Sequence, residues 1–290
     1  MPKTINEIQA VLARIDNLPT LPIVASELIR ILGNSNTSMS QISELMNNDQ
    51  SITARVLKIA NSAYYGIRNR VDTLRTALVI LGVNEITNIV IGVSLMKVFD
   101  TEGEKLFDHS AFWKHSIYTA HLSRWLSRKL GIPFHGEEFT AGLIHDIGKI
   151  ILDQYFHPEF VNIRKYMELF PQDQEYEIEQ KVLGATHMEL GYWLADRWKI
   201  PGHIQAAILY HHRPEKAQDN IELCCLVNIV NTISNFYVNP VRHERIYKEI
   251  PSSFAWNRLN KVKKIDFNTI NDEVNEEIEK ANAFVDQMLQ

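Results

Sequence analysis

At 290 residues with 45% apolar content, the chain can bury one large core or two smaller ones, which excludes a disordered tail and favours two domains. A net charge of -5 provides no general attraction for phosphate backbones or anionic lipid, so nucleic acid is not an expected main partner. The opening MPKTINEIQAVLARID carries scattered charges, and no later run approaches the roughly eighteen uninterrupted apolar residues of a membrane span, so the expected setting is the cytosol.

Strand signals are scarce, while apolar residues recur at three- and four-residue spacing, so the expected fold class is all-α. In chain order, Pro22 opens a helix through Leu32, Gly33 stands where a C-cap glycine belongs, and NSNTS follows as a loop. Further helices are expected at Met39–Met46, Ser51–Ala60, Thr73–Leu81 and Glu85–Val98, with Gly82 closing one of them. Asp49 is placed to cap the helix at Ser51, and Asn61-Ser62 to form the turn that ends it. Tyr64 and Tyr65, followed by Arg68, Arg70 and Arg75, read first as a loop-to-helix junction with solvated arginines and second as a patch for an anionic ligand or partner. The polar segment 101–110, containing Gly103, is the candidate boundary, giving units 1–103, 104–238 and 239–290. The only cysteines, Cys224 and Cys225, are adjacent on a helix, so neither a disulfide nor a thiolate metal site is expected. A polar stretch at about 239–272 precedes an amphipathic helix with Val274, Ile278, Ala281 and Met288 on one face, expected to pack on its own chain.

Between Phe112 and His212, several polar residues fall on apolar helical faces. In EEFTAGLIHDIGKIIL, Phe139, Leu143, Asp146 and Ile150 share a stripe, and a carboxylate buried there must be paired, protonated or metal-bound. His115 shares a face with Leu122 and Leu126. His187 begins a helix with a Thr186–Glu189 capping box and aligns with Leu190 and Leu194. His211 follows Ile204 and Ile208, and His212 lies four residues beyond Ile208, so either ring can face inward. One inward histidine is ordinarily a satisfied core residue. Several, with an inward aspartate, point instead to a divalent metal, and imidazole with carboxylate and no sulfur suits Fe, Mn, Zn or Ni.

The order His115 then His145-Asp146 within GLIHDIGK resembles the opening of the HD superfamily signature, whose members are helical and often hydrolyse phosphate esters at one or two metals. The surrounding WKHSIYTA, THMELGYWLADRWKIPGHIQAAILYHHRPE, LPTLPIVASELIRIL and SITARVLKIANSAYYG resemble HDOD proteins from about Leu18 to Asn235. That resemblance implies a helical N-terminal subdomain packed on an HD-like helical subdomain, and a role in bacterial signalling or regulation. It also adds His145 to the ligand candidates and implies that His187, His211 and His212 match the additional ligands of the related HD-GYP phosphodiesterases. The glycine-tyrosine-proline signature is absent after His212, where RPEKA stands, so cyclic di-GMP hydrolysis is not expected. Active HD hydrolases usually add a second aspartate from a later helix. Here CLVNIVNTISN offers Asn231, or Asn228, and a neutral amide is the weaker ligand.

Three readings follow. The first is a regulatory module with a His/Asp metal site, working through a protein partner or a small phosphorylated ligand. The second is a metal-dependent phosphohydrolase of a nucleotide or other phosphate ester, with Asp146 and Lys149 in the catalytic roles and Lys149 offsetting phosphate charge. The third is a helical scaffold with histidines buried for packing. No DNA-binding, kinase or cyclase segment is recognisable, so a signal is expected to leave through protein contact or a small molecule.

Overall fold

A computed structural model describes residues 20–31, 38–47, 49–62, 64–99, 107–171 and 173–289, without the side chains of 47, 241 and 242. The described residues are helical and contain no strand. The N-terminal helices are α1 (Ile23–Ile31), α2 (Met39–Asn47), α3 (Gln50–Ala60), α4 (Leu74–Leu81) and α5 (Val83–Val98). Gly33, most of the following loop, Gly103 and most of the 101–110 segment lie outside the described residues.

Local chemistry sets the ends of these helices. Asp49 accepts from the Ser51 and Ile52 amides at 3.0 and 3.1 Å and so caps α3. Beyond its end, the Asn61 side chain accepts from Val71 N and donates to Val71 O, both at 2.8 Å, which staples the connecting loop. Thr73 caps α4 rather than belonging to it. Gly82, at φ 85°, then turns the chain by 118° into α5, a step that an L side chain would strain. From Ile86 to Met96 every residue of α5 is buried, as expected of a helix that is apolar on all sides. It packs against α1, α3 and α4.

The central helices are α6 (His109–Leu130), α7 (Glu137–Ile144), α8 (Gly148–Tyr155), α9 (His157–Leu169), α10 (Glu175–Val182), α11 (His187–Arg197), α12 (Gly202–Tyr210) and α13 (Ile221–Val238). α5 also packs against α7, and the buried Thr140 hydroxyl of α7 donates to Asn88 of α5 at 3.1 Å. α6 lies against α7 and α13, while α11 packs between α8 and α12. The expected single stripe from Phe139 to Ile150 is corrected: the helix breaks at His145–Ile147, where tight turns carry bonds from Ile147 N to Ile144 O and from Lys149 N to Asp146 O.

The polar stretch at 239–272 is also more ordered than expected. It contains α14 (Pro240–Glu249) and α15 (Phe254–Leu259), whose Tyr247, Trp256 and Leu259 are buried against α13. Burial of these few large side chains anchors a stretch whose local pattern is mostly polar. α16 (Phe267–Met288) buries Val274, Ile278, Ala281 and Met288 against α6 and α3 of its own chain. One connected apolar cluster therefore runs from Leu28 to Met288. By length and composition α13 qualifies as a membrane span, against the sequence expectation, and so does the bent α4–α5 pair. α13 is 56% buried and packed on five neighbouring helices, so its apolarity has an internal use as a core helix.

Candidate metal centre

Four elements deliver the polar side chains to one buried point. α6 contributes His115, the break between α7 and α8 contributes His145 and Asp146, the first residue of α11 is His187, and the end of α12 carries His211 and His212. The capping box expected at Thr186 and Glu189 is present and fixes the start of α11. Gly148 lets α8 approach α11: a Cβ there would lie 1.9 Å from the His187 carbonyl oxygen.

The two carboxylate oxygens of Asp146 face opposite pairs of imidazoles. Oδ1 lies 3.2 Å from His187 Nε2 and 3.4 Å from His211 Nε2. Oδ2 lies 3.4 Å from His145 Nε2 and 3.6 Å from His115 Nε2. Within each pair the Nε2 atoms are 3.3 Å apart. His212 joins the group on the Oδ1 side, so both members of the His211-His212 pair turn inward.

Three of these rings are oriented from behind. His145 Nδ1 donates to Gly142 O at 2.8 Å and His211 Nδ1 to Ile208 O at 2.9 Å. His187 Nδ1 meets the buried Glu179 carboxylate at 2.7 and 2.9 Å. With Nδ1 carrying the proton, a neutral ring turns its Nε2 lone pair toward Asp146. Lone pairs then confront a carboxylate, an arrangement that calls for a cation between them. Asp146 Oδ1 accordingly is buried yet accepts no hydrogen bond, and His212 Nε2 is buried without a partner.

The protonation states fit the same chemistry. Burial, reinforced by His145, holds His115 down at about 3. Burial outweighs Asp146 in holding His211 at about 4, and burial with the neighbouring His211 and His187 keeps His212 well below its ordinary value. For Asp146, burial opposes the charge, but His145, Lys149 and His187 keep the carboxyl well below the usual range. At neutral pH His115, His211 and His212 are therefore neutral and Asp146 is ionised, the forms that bind Zn, Fe, Mn or Ni, whereas His187 gives up a proton when metal binds. Burial also opposes charge on His187, but Glu179 and Asp146 raise it to about 9. The donor set fits a divalent cation.

Lys149 Nζ bridges Asp146 Oδ2 at 2.8 Å and Glu175 Oε2 at 3.0 Å, rather than standing free in solvent. Glu175, Lys149, His115, Asp146, His212 and Asn231 line a cavity of about 370 Å³. Asn231 is buried and its Oδ1 accepts from Asn235 Nδ2 at 2.8 Å, whereas Asn228 donates to the His211 carbonyl at 2.7 Å. Sequence reading missed Glu175 and Glu179, because EYEIEQ has the charge density of a solvent-facing helix. Tyr64 and Tyr65 point inward, to His121 at 2.9 Å and to Glu85, while Arg68, Arg70 and Arg75 are exposed. The arginines thus form no joint surface patch with the tyrosines.

The HDOD domain pattern matches residues 18–214, more than half of the sequence. The chain belongs to the HDOD family. Its fold is similar to that of an HDOD domain protein of unknown function from Geobacter sulfurreducens, with TM-score 0.82 and 20% identity over 95% of this chain and 96% of that one. A candidate phosphohydrolase from Shewanella amazonensis is similar with TM-score 0.75 and 23% identity, covering 96% and 98%. Among curated sequences, an uncharacterised Treponema pallidum protein is 24% identical over 248 residues, 83% of this chain. This HDOD chain spans about half of that relative's length, 47%.

Proposed function

We propose that this HDOD protein is a bacterial regulatory module that holds divalent metal at Asp146, His115, His145, His187, His211 and His212, and that its cavity receives a small phosphorylated ligand or signals to a protein partner. The observation that carries the reading is Asp146, a fully buried carboxylate with each oxygen facing a pair of imidazole nitrogens. A bound divalent ion supplies Lewis acidity toward a phosphoryl oxygen or water. Glu179 orients His187, and the Gly142 and Ile208 carbonyls orient His145 and His211. Asn231 supplies an amide where an active HD hydrolase places a carboxylate, which supports regulation over turnover.

Hydrolysis of a phosphate ester is the second reading, favoured by Lys149, whose ammonium lies in the cavity beside Asp146. Elemental analysis of protein purified without added metal tests the metal site, with Asp146→Ala as control. Metal retained by the wild type and absent from the variant supports it, and equal content in both overturns it. A phosphatase screen of the loaded protein separates the two readings: no turnover of nucleotides, cyclic dinucleotides or generic esters supports regulation, and sustained turnover supports hydrolysis.

A further inference from the structure

The two sides of Asp146 are not equivalent. On the Oδ1 side, three imidazoles and a carboxylate oxygen complete a four-donor set, the number a tetrahedral site uses. His187 is held by Glu179 through both its ring and its main-chain N–H, the latter at 2.7 Å. His211 is held through Nδ1 and through its carbonyl, which accepts from Asn228. Among the described residues no lysine or arginine pairs with Oδ1, which faces His187 and His211.

On the Oδ2 side only His115, His145 and the shared carboxylate are within reach. Lys149 already occupies the charge-compensating position at 2.8 Å, so a second cation placed there meets a fixed positive charge. His115 Nδ1 is buried with no hydrogen-bond partner, leaving that ring without the orientation its three counterparts have. Among the described residues no further carboxylate completes the set. Asn231 is neutral, and its acceptor oxygen is already used by Asn235. His115, Lys149, Asn231, Thr232 and Asn235 line the cavity from this side, and His212 alone of the Oδ1-side histidines reaches its wall.

From this asymmetry we infer that the centre holds one divalent ion tightly at Asp146, His187, His211 and His212, and takes a second, at His115 and His145, only when a phosphate-bearing ligand enters the cavity. The inference rests on the metal-binding reading above. The phosphate oxygen supplies the anionic donor that Asn231 does not, and its remaining charge offsets Lys149 and the added cation. The protein thereby couples occupancy of the second metal position to the presence of the ligand.

Metal-stripped protein titrated with Mn(II), with and without inorganic phosphate, tests this by calorimetry and by the paramagnetic resonance of a carboxylate-bridged manganese pair. The expected result is one tight equivalent without phosphate, and a second, about tenfold or more weaker, with the coupled-pair signal only when phosphate is present. His115→Ala is expected to keep the tight equivalent and lose the phosphate-dependent one, while His187→Ala loses the tight one. Asn231→Asp is expected to bind two equivalents without phosphate. Circular dichroism establishes that each variant is folded, and the His115→Ala comparison stands by itself if Asn231→Asp does not fold. Two equally tight equivalents in the wild type without phosphate, or loss of the same ion in both histidine variants, overturns the inference while leaving the metal-binding reading intact. Absence of any manganese binding overturns both.

Discussion

Asp146 and His121 provide a matched pair of tests, since both are buried and only one faces the centre. Asp146→Ala is expected to abolish metal retention, and His121→Ala to leave it unchanged, as read by elemental analysis of the two folded variants. His121 serves the core differently: its ring joins Tyr64 and Glu277, both at 2.9 Å, linking the N-terminal helices to α16 through α6. The His121 hydrogen bond, aided by Lys280 and opposed by burial, holds the Glu277 carboxyl at about 2 against an ordinary 4.5. Because the folded value is the lower one, this stabilisation is complete above pH 4.5 and is lost as pH falls toward 2. Thermal unfolding followed from about pH 5 to pH 2 is therefore expected to show a shallower acid loss for Glu277→Gln than for the wild type. A second buried network pairs Arg124 with Glu85, with Tyr65 donating to the same carboxylate and the guanidinium 4.3 Å over the Phe139 ring. Glu85→Ala leaves that guanidinium uncompensated, so denaturant unfolding is expected to show a loss of about 3–5 kcal/mol.

The glycine-mediated approach of α8 to α11 positions His187 against Asp146. Gly148→Ala sets its Cβ against backbone rather than a yielding side chain, so the helices must separate. The expected outcome is destabilisation of about 1–3 kcal/mol with reduced metal content, measured by urea unfolding and elemental analysis. The elements also show how far periodicity reaches. Helices α1 to α5 were legible because their caps and apolar spacing are local, and Thr73 and Gly82 shifted boundaries by only a residue or two. The break at His145–Ile147 was not legible, because Phe139, Leu143, Asp146 and Ile150 remain inward-facing on either side of it. A turn that preserves the inward phase leaves no mark on the helical wheel. The helices α14 and α15 were missed for the opposite reason, their few buried aromatics being diluted by charged neighbours.

At the scale of the molecule, metal at a centre built from helices α6, α7, α8, α11 and α12 binds the folded chain and not the unfolded one. Chelation is expected to lower the unfolding temperature, and free ion at roughly 1,000 times its Kd to restore about 4 kcal/mol, as measured by thermal unfolding across a metal titration. An unchanged transition would count against a centre that ties these helices together. The connected apolar core places α16 against α6, with nine α-helices between them in chain order, so the C-terminal helix supports the element that carries His115. The sequence by itself determined the helical class and the inward direction of Asp146, His115, His187 and His211, because helical phase depends only on neighbours three and four residues away. It also showed the amide at Asn231. Only the tertiary structure decided that these side chains meet, that they divide between the two oxygens of Asp146, and that Glu179, Glu175 and Lys149 stand behind them. Those facts depend on helix crossings and on pairings between residues distant in sequence, whose directions no local spacing records.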